Sequence, residues 1–145
     1  MIAIDTNLLV YAHRSGCPEH EAARRAIEGA AERANGWGIP YSCAFEFWSV
    51  VTHPSSLGGA SSPEAAHRFI DALIETAGAT ILPPPATLVP RCLQIAEQLG
   101  VRGARIFDLQ IGLTALDAGA TEIWTHDAGF VGLPGLKVRD PLPEA

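Results

Sequence analysis

The sequence predicts an α/β sandwich built around a mostly parallel sheet, and three observations carry that expectation. Short apolar runs of strand character alternate with longer segments of helical period, which is the pattern of strand–helix–strand units. The length of 145 residues, with 48% hydrophobic and 18% charged residues, suits a single domain (1–145) that buries its own core. The chain also lacks repeats, low-complexity tracts and any composition shift that would mark a second domain.

Met1 to Asp5 is a short apolar run ending in an acid, and a helix from Leu8 to Ala12 follows, capped by Asp5 or Thr6. Residues 14–18 form a loop. Over 19–34, Ala22, Ala23, Ala26, Ile27, Ala30 and Ala34 keep the helical period, and Glu21 with Arg25 makes an i,i+4 pair on the outer face. Trp37 to Tyr41 is a strand candidate containing Pro40, which lacks a ladder donor. Ser42 caps a helix running to about Thr52, with Pro54 beyond it. Residues 55–62 (SSLGGASS) are a loop. Pro63 then opens a helix behind Ser62, with Ala66, Phe69, Ile70, Leu73 and Ile74 buried and Gly78 as the stop.

Thr80 to Leu82 is a strand closed by Pro83, Pro84 and Pro85. Residues 88–99 form a helix ended by Gly100, and 106–118 form one with hardly any polar face, ended by Gly119. Thr121 to Thr125 is a strand, Asp127 starts a turn, and Leu136 to Val138 is the last strand.

Composition narrows the function. No apolar run approaches the roughly 20 residues of a membrane span, and the start MIAIDTNLLV lacks the basic, then apolar, order of a signal peptide, so a cytosolic (cytoplasmic) chain with no membrane partner is expected. Cys17, Cys43 and Cys92 are odd in number and without metal spacing, which predicts reduced thiols, two of them in the core. The net charge of −6 argues against a broad grip on duplex DNA. All but one of the ten cations are Arg, however, so a short nucleic acid held at one site remains compatible.

Ligands of open parallel sheets sit at the carboxyl ends of the strands. Four acids fall there or at nearby helix starts: Asp5, Glu46, Asp108 and Asp127. Each also has a plain structural reading. Asp5 can cap the following helix, Asp108 can favour a helix N-terminus, Asp127 can be a turn residue, and Glu46 can belong to a solvent-facing stripe with Ser42, Ser49 and His53. Asp108 is the most informative, because its neighbours Ile106, Phe107, Leu109, Ile111 and Leu113 make a buried helix. A carboxylate there needs donors or a cation, and Mg²⁺ prefers carboxylate oxygens. His126 beside Asp127 reads as structural or solvent-exposed, and Trp37, Trp48 and Phe130 read as core.

Together these motifs carry a resemblance. IAIDTNLLVY resembles the opening of PIN domains, CAFEFWSVVTHP their second acidic position, and RIFDLQIGLTALDAGATEIWTHDAGF their most diagnostic block. The ending LPGLKVRDPL resembles that of VapC-type PIN toxins. The resemblance covers nearly the whole chain in the right order. It implies a PIN-like three-layer α/β/α sandwich and an endoribonuclease that hydrolyses RNA phosphodiester bonds with Mg²⁺ or Mn²⁺.

Carried over residue by residue, the resemblance makes Asp5, Glu46, Asp108 and Asp127 the catalytic and metal-holding acids. Asp5 and Asp108 would hold the main ion, and Glu46 and Asp127 would complete its shell or hold a second. Thr6, Asn7 and Thr125 would orient carboxylates, water or phosphate, and Arg14, Arg102 and Arg105 are candidate contacts to RNA phosphate. The resemblance also implies a homodimer paired with a small VapB-type antitoxin, for which the helices at 19–34 and 43–52 offer candidate surfaces.

Two other readings compete. One is a phosphatase or receiver domain, which also places an Asp after the first strand; DTN lacks the second Asp of the phosphatase motif, and the only lysine, Lys137, lies near the end. The other is a PIN module that binds RNA or protein without catalysis.

Overall fold

The computed structural model describes residues 1–56 and 58–143. Its five strands are β1 (Ile2–Ile4), β2 (Trp37–Pro40), β3 (Thr80–Leu82), β4 (Glu122–Trp124) and β5 (Lys137–Arg139). They form one sheet in the order β3-β2-β1-β4-β5, and every neighbouring pair is parallel. The inner strand β1 is buried at every residue, so it reads as an unbroken apolar run, whereas the edge strand β5 is exposed throughout.

The described helices are α1 (Thr6–His13), α2 (His20–Ala31), α3 (Tyr41–Thr52), α4 (Pro63–Glu75), α5 (Leu88–Leu99) and α6 (Ile106–Asp117). They flank the sheet to give the three-layer α/β/α arrangement of PIN-like folds. α1 packs on α2 and α3, α3 on α4, and α5 on α6. The main core joins Ile4, Leu8, Leu9, Ile39, Phe47, Val51 and Ile123, and a smaller cluster of Cys92, Ala96, Leu109, Leu113 and Leu133 fills the space around α5 and α6.

Some helix ends follow the signals read from the sequence. Ser62 Oγ accepts the Ala65 N–H at 3.1 Å with Pro63 in the first helical position. Gly78, at φ +73°, lets Ala79 N donate to Leu73 O at 2.9 Å, which closes α4. Gly38 is required by packing: a Cβ there would lie 2.6 Å from Leu82 Cδ2 and 2.9 Å from Thr80 O.

The structure corrects several local expectations. Ser42 is not a helix cap, because β2 runs directly into α3 at Pro40, and Ser42 Oγ is buried without a protein hydrogen-bond partner. Arg24, not Arg25, pairs with Glu21, and it also reaches Glu28, both at 3.3 Å. β5 begins at Lys137 because Leu136 is drawn into the core and its N–H closes a turn on Leu133 O. A 3-10 turn, Gly103–Arg105, leads into α6. Phe69, Ile70 and Ile74 are half-buried rather than fully buried. The loop expected at 55–62 includes Leu57, which lies outside the described residues.

Candidate active site

Asp5, Glu46, Asp108 and Asp127, carried by four separate segments, line one cleft of about 890 Å³. The topology explains why they meet. The strand order reverses between β1 and β4, and Asp5 leaves the carboxyl end of β1 while Asp127 follows β4. The crevice at such a reversal is where open parallel sheets bind ligands. α3 supplies Glu46 to the cleft, and the first turn of α6 supplies Asp108.

Asp5 is 7% exposed and acts as helix cap and cleft residue together. Its Oδ1 accepts the Thr6 N–H at 2.7 Å and lies 3.7 Å from the Cys43 thiol, and its Oδ2 accepts the Thr125 hydroxyl at 2.7 Å. Burial pushes its carboxyl above the usual range. The bonds from Thr125 and Thr6 pull it back, and the Glu46 and Asp108 carboxylates push it up again.

Thr125, 1% exposed, is the hub of the site. Its hydroxyl donates to Asp5 Oδ2, and accepts Asn7 Nδ2 at 3.0 Å and the Asp127 N–H at 3.1 Å. Asn7 Oδ1 in turn accepts the His126 N–H at 3.1 Å. The DTN and THD segments are therefore tied together side chain to side chain. Thr6 extends the network by donating to Glu46 Oε2 at 3.2 Å.

Arg105 crosses the remaining gap. Its Nη1 donates to Asp108 Oδ2 at 3.2 Å and to Asp127 Oδ2, and its Nη2 lies 3.4 Å from Asp127 Oδ1. The guanidinium holds the Asp127 carboxyl below its ordinary range; burial opposes this, and the Gly129 N–H bond assists it. Asp108 Oδ2 also accepts the Val131 N–H at 3.0 Å. Among the described residues no group of three or more His, Cys, Asp or Glu side chains is gathered for a single ion. The cleft nevertheless presents an all-oxygen carboxylate set, the donor type a hard divalent cation takes.

Of the three arginines expected near phosphate, only Arg105 lines the cleft. Arg14 donates to Gly59 O at 3.0 Å, to Val51 O at 3.2 Å and to Ser56 Oγ, which ties the end of α1 to the segment after α3. Arg102 is exposed at the head of the 3-10 turn. His126 pairs with Asp140 at 2.8 Å and does not line the cleft. Trp37 and Phe130 are buried, whereas Trp48 is 41% exposed and so departs from the core position expected of it.

The sequence reading also missed parts of the cleft wall, among them Tyr11, Phe107 and Gln110, whose Nε2 bonds Tyr41 Oη at 2.8 Å. The i,i+3 spacing of Arg105 and Asp108 was a usable signal for their pairing. Nothing local signalled the reach of Arg105 to Asp127.

The PIN domain family matches residues 2–136. Ribonuclease VapC43 of Mycobacterium tuberculosis is 32% identical over 98% of this chain and 96% of its own length. Among solved structures, Mycobacterium tuberculosis VapC20, described as a sarcin-ricin loop cleaving toxin, matches with a TM-score of 0.67 at 16% identity, covering 92% of this chain and 98% of that one. VapBC2 from Rickettsia felis, bound to a DNA fragment from their promoter, matches with a TM-score of 0.69 at 20% identity, covering 97% and 98%. At such identities these two structures speak for the fold.

Proposed function

The chain belongs to the PIN domain family, and on that premise we propose that it is a divalent-cation-dependent endoribonuclease, the toxin of a VapBC-type toxin–antitoxin pair. The observation that carries this reading is the convergence of four carboxylates at the crevice where the strand order reverses. The kinship with ribonucleases over nearly the whole chain supports the reaction class. Membership of the PIN family argues against the phosphatase or receiver reading.

The donor set fits Mg²⁺ or Mn²⁺ by type and by charge: the Glu46 and Asp108 carboxylates act electrostatically on Asp5, and a guanidinium already sits between Asp108 and Asp127. Asp5 and Asp108 would hold the main ion, with Glu46 and Asp127 completing its surroundings. A cation bound there supplies charge stabilisation at the phosphoryl oxygens. Thr125 and the Thr6 N–H fix both oxygens of Asp5. The Thr6 hydroxyl anchors Glu46 Oε2, and a carboxylate of the cleft would accept the proton of the attacking water. Asn7 holds the Thr125 hydroxyl in the orientation that serves Asp5. Arg105 is the phosphate-contacting cation that the cleft provides.

A small VapB-type antitoxin is the proposed partner, in keeping with the toxin–antitoxin assemblies among the structural relatives. Phe45 and Trp48, exposed on α3, are proposed contacts, and a homodimer in the cytoplasm is the proposed state. No described helix is long and apolar enough to cross a membrane.

Purified chain is incubated with total RNA and Mg²⁺ beside Asp5→Asn, Asp108→Asn and an EDTA control. Cleavage by the wild type alone, abolished by EDTA, is the expected result. Equal cleavage by all samples, or none by folded wild type, counts against the reading.

A further inference from the structure

We infer that Arg105 is an internal counter-cation, which occupies Asp108 and Asp127 in the cation-free chain and is displaced when a divalent cation takes those carboxylates. The inference rests on the reading of the acidic cluster as a cation site.

Three features of the structure support it. Arg105 donates to both carboxylates, so the two acids share one positive charge. The guanidinium has a shaped seat: a Cβ on Gly129 would collide with Arg105 Nη2, and the Gly129 N–H caps Asp127 Oδ1 at 2.9 Å. The side chain is also 45% exposed, so it can swing into solvent or onto a phosphate without unburying a core group.

Competition follows from chemistry. A planar guanidinium satisfies carboxylates through directed N–H bonds, whereas Mg²⁺ or Mn²⁺ needs the same oxygens at close range in octahedral order. Two positive species crowded on one pair of carboxylates repel each other. Arg105 therefore offsets the charge of Asp108 and Asp127 in the cation-free chain and lowers their cation affinity by the same contacts. Once released, the guanidinium is available for the phosphate contact proposed for it.

The test is Mn²⁺ binding by calorimetry, with thermal denaturation in EDTA, on wild type, Arg105→Gln and Gly129→Ala. Arg105→Gln removes both the charge and the competitor. Gly129→Ala keeps the charge but crowds the guanidinium, whose Nη2 would collide with the new Cβ and whose Cζ would lie 3.0 Å from it, so that the group must shift, at a position whose backbone is not in the left-handed region. Arg105→Gln is expected to bind Mn²⁺ about tenfold tighter, and Gly129→Ala a few-fold tighter. Both should melt lower than wild type in EDTA, with the difference shrinking in saturating Mn²⁺.

Equal or weaker Mn²⁺ binding by Arg105→Gln, with wild type binding normally, overturns the competition and leaves the cation site standing. Tighter binding by Arg105→Gln but not by Gly129→Ala reduces Arg105 to a distant repulsive charge and also overturns it. Absence of Mn²⁺ binding by every form removes the cation site itself, and the inference with it.

Discussion

Replacing Thr125 by Val keeps the shape of the side chain and deletes one hydroxyl that makes three hydrogen bonds. The bond to Asp5 Oδ2 is 2.7 Å long, buried and made to a carboxylate, so its loss costs about 2 kcal/mol. Asn7 Nδ2 and the Asp127 N–H each lose an acceptor in partly buried surroundings, at about 1 kcal/mol apiece. The extra methyl of Val returns about 1 kcal/mol of transfer energy. The net expectation is about 3 kcal/mol, a large part of the ~5–15 kcal/mol by which a domain is stable. Thr125→Ser keeps the hydroxyl and loses only a methyl, at about 1 kcal/mol. Urea denaturation of the three proteins in EDTA at neutral pH measures both differences. If Val falls within about 0.5 kcal/mol of Ser, the hydroxyl is not the tie between the two segments, and the account of the site as a network centred on Thr125 is wrong.

Other consequences can be checked with simple measurements. Gly38→Ala should lose about 2–3 kcal/mol in urea melts, because the new methyl meets Leu82 and the Thr80 carbonyl across the β2–β3 pair; an unchanged midpoint would contradict that register. Burial, with Arg14 nearby, lowers the His13 pKa below its unfolded value near 6.5, so the stability this neutral ring carries is present above that pH and lost as pH falls through the folded value. His13→Gln should therefore show a smaller drop in urea midpoint than wild type between pH 8 and pH 5.5, and parallel drops would refute the assignment. Brief N-ethylmaleimide treatment of the native chain should label Cys17 first, since Cys43 and Cys92 are buried and burial raises both their thiol pKa values; mass spectrometry finding Cys43 labelled first would show that the β2–α3 corner opens.

The alternation of strands and helices was legible because each element carries its own period and its own stop signal, as with Ser62-Pro63 at the start of α4 and Gly100 after α5. The order of strands was not, since it depends on which distant segment pairs with β1. Where the sequence misled, two neighbouring elements competed for one residue. Ser42 has the chemistry of a cap, but the strand before it ends without a linker, so the helix starts at Tyr41. Leu136 has the character of a strand residue, but the core claimed it and moved β5 along by one. Within the site, the DTN and THD segments could be recognised separately, whereas their mutual hydrogen bonds lie nearly 120 residues apart in sequence, as |i−j| of 118 for Asn7 to Thr125 and 120 for Thr125 to Asp5. No local pattern encodes such a separation.

Asp108 and Asp5 are both buried carboxylates, but their surroundings differ. In the sequence, a carboxylate on an all-apolar helix demands either donors or a cation. The structure supplies donors, the Val131 N–H and Arg105, so the burial of Asp108 alone no longer calls for an ion. Asp5 is different. All three of its described donors are neutral, being an amide, a hydroxyl and a thiol, and none brings positive charge to a carboxyl that burial pushes upward and two further carboxylates push upward again. Asn here would shed that charge, but it would also put an N–H donor where Oδ2 now accepts the Thr125 hydroxyl. The urea midpoint of Asp5→Asn relative to wild type, measured in EDTA, should therefore climb as pH rises through the folded pKa of Asp5, because only the wild type then ionises a buried carboxyl. A variant that gains on wild type from acid to neutral pH marks Asp5 as a charge kept for a purpose other than folding. A variant that falls further behind wild type over the same range would mean that the anion itself holds the β1–α1 junction together, and the case for a cation at the cleft would have to be made without it.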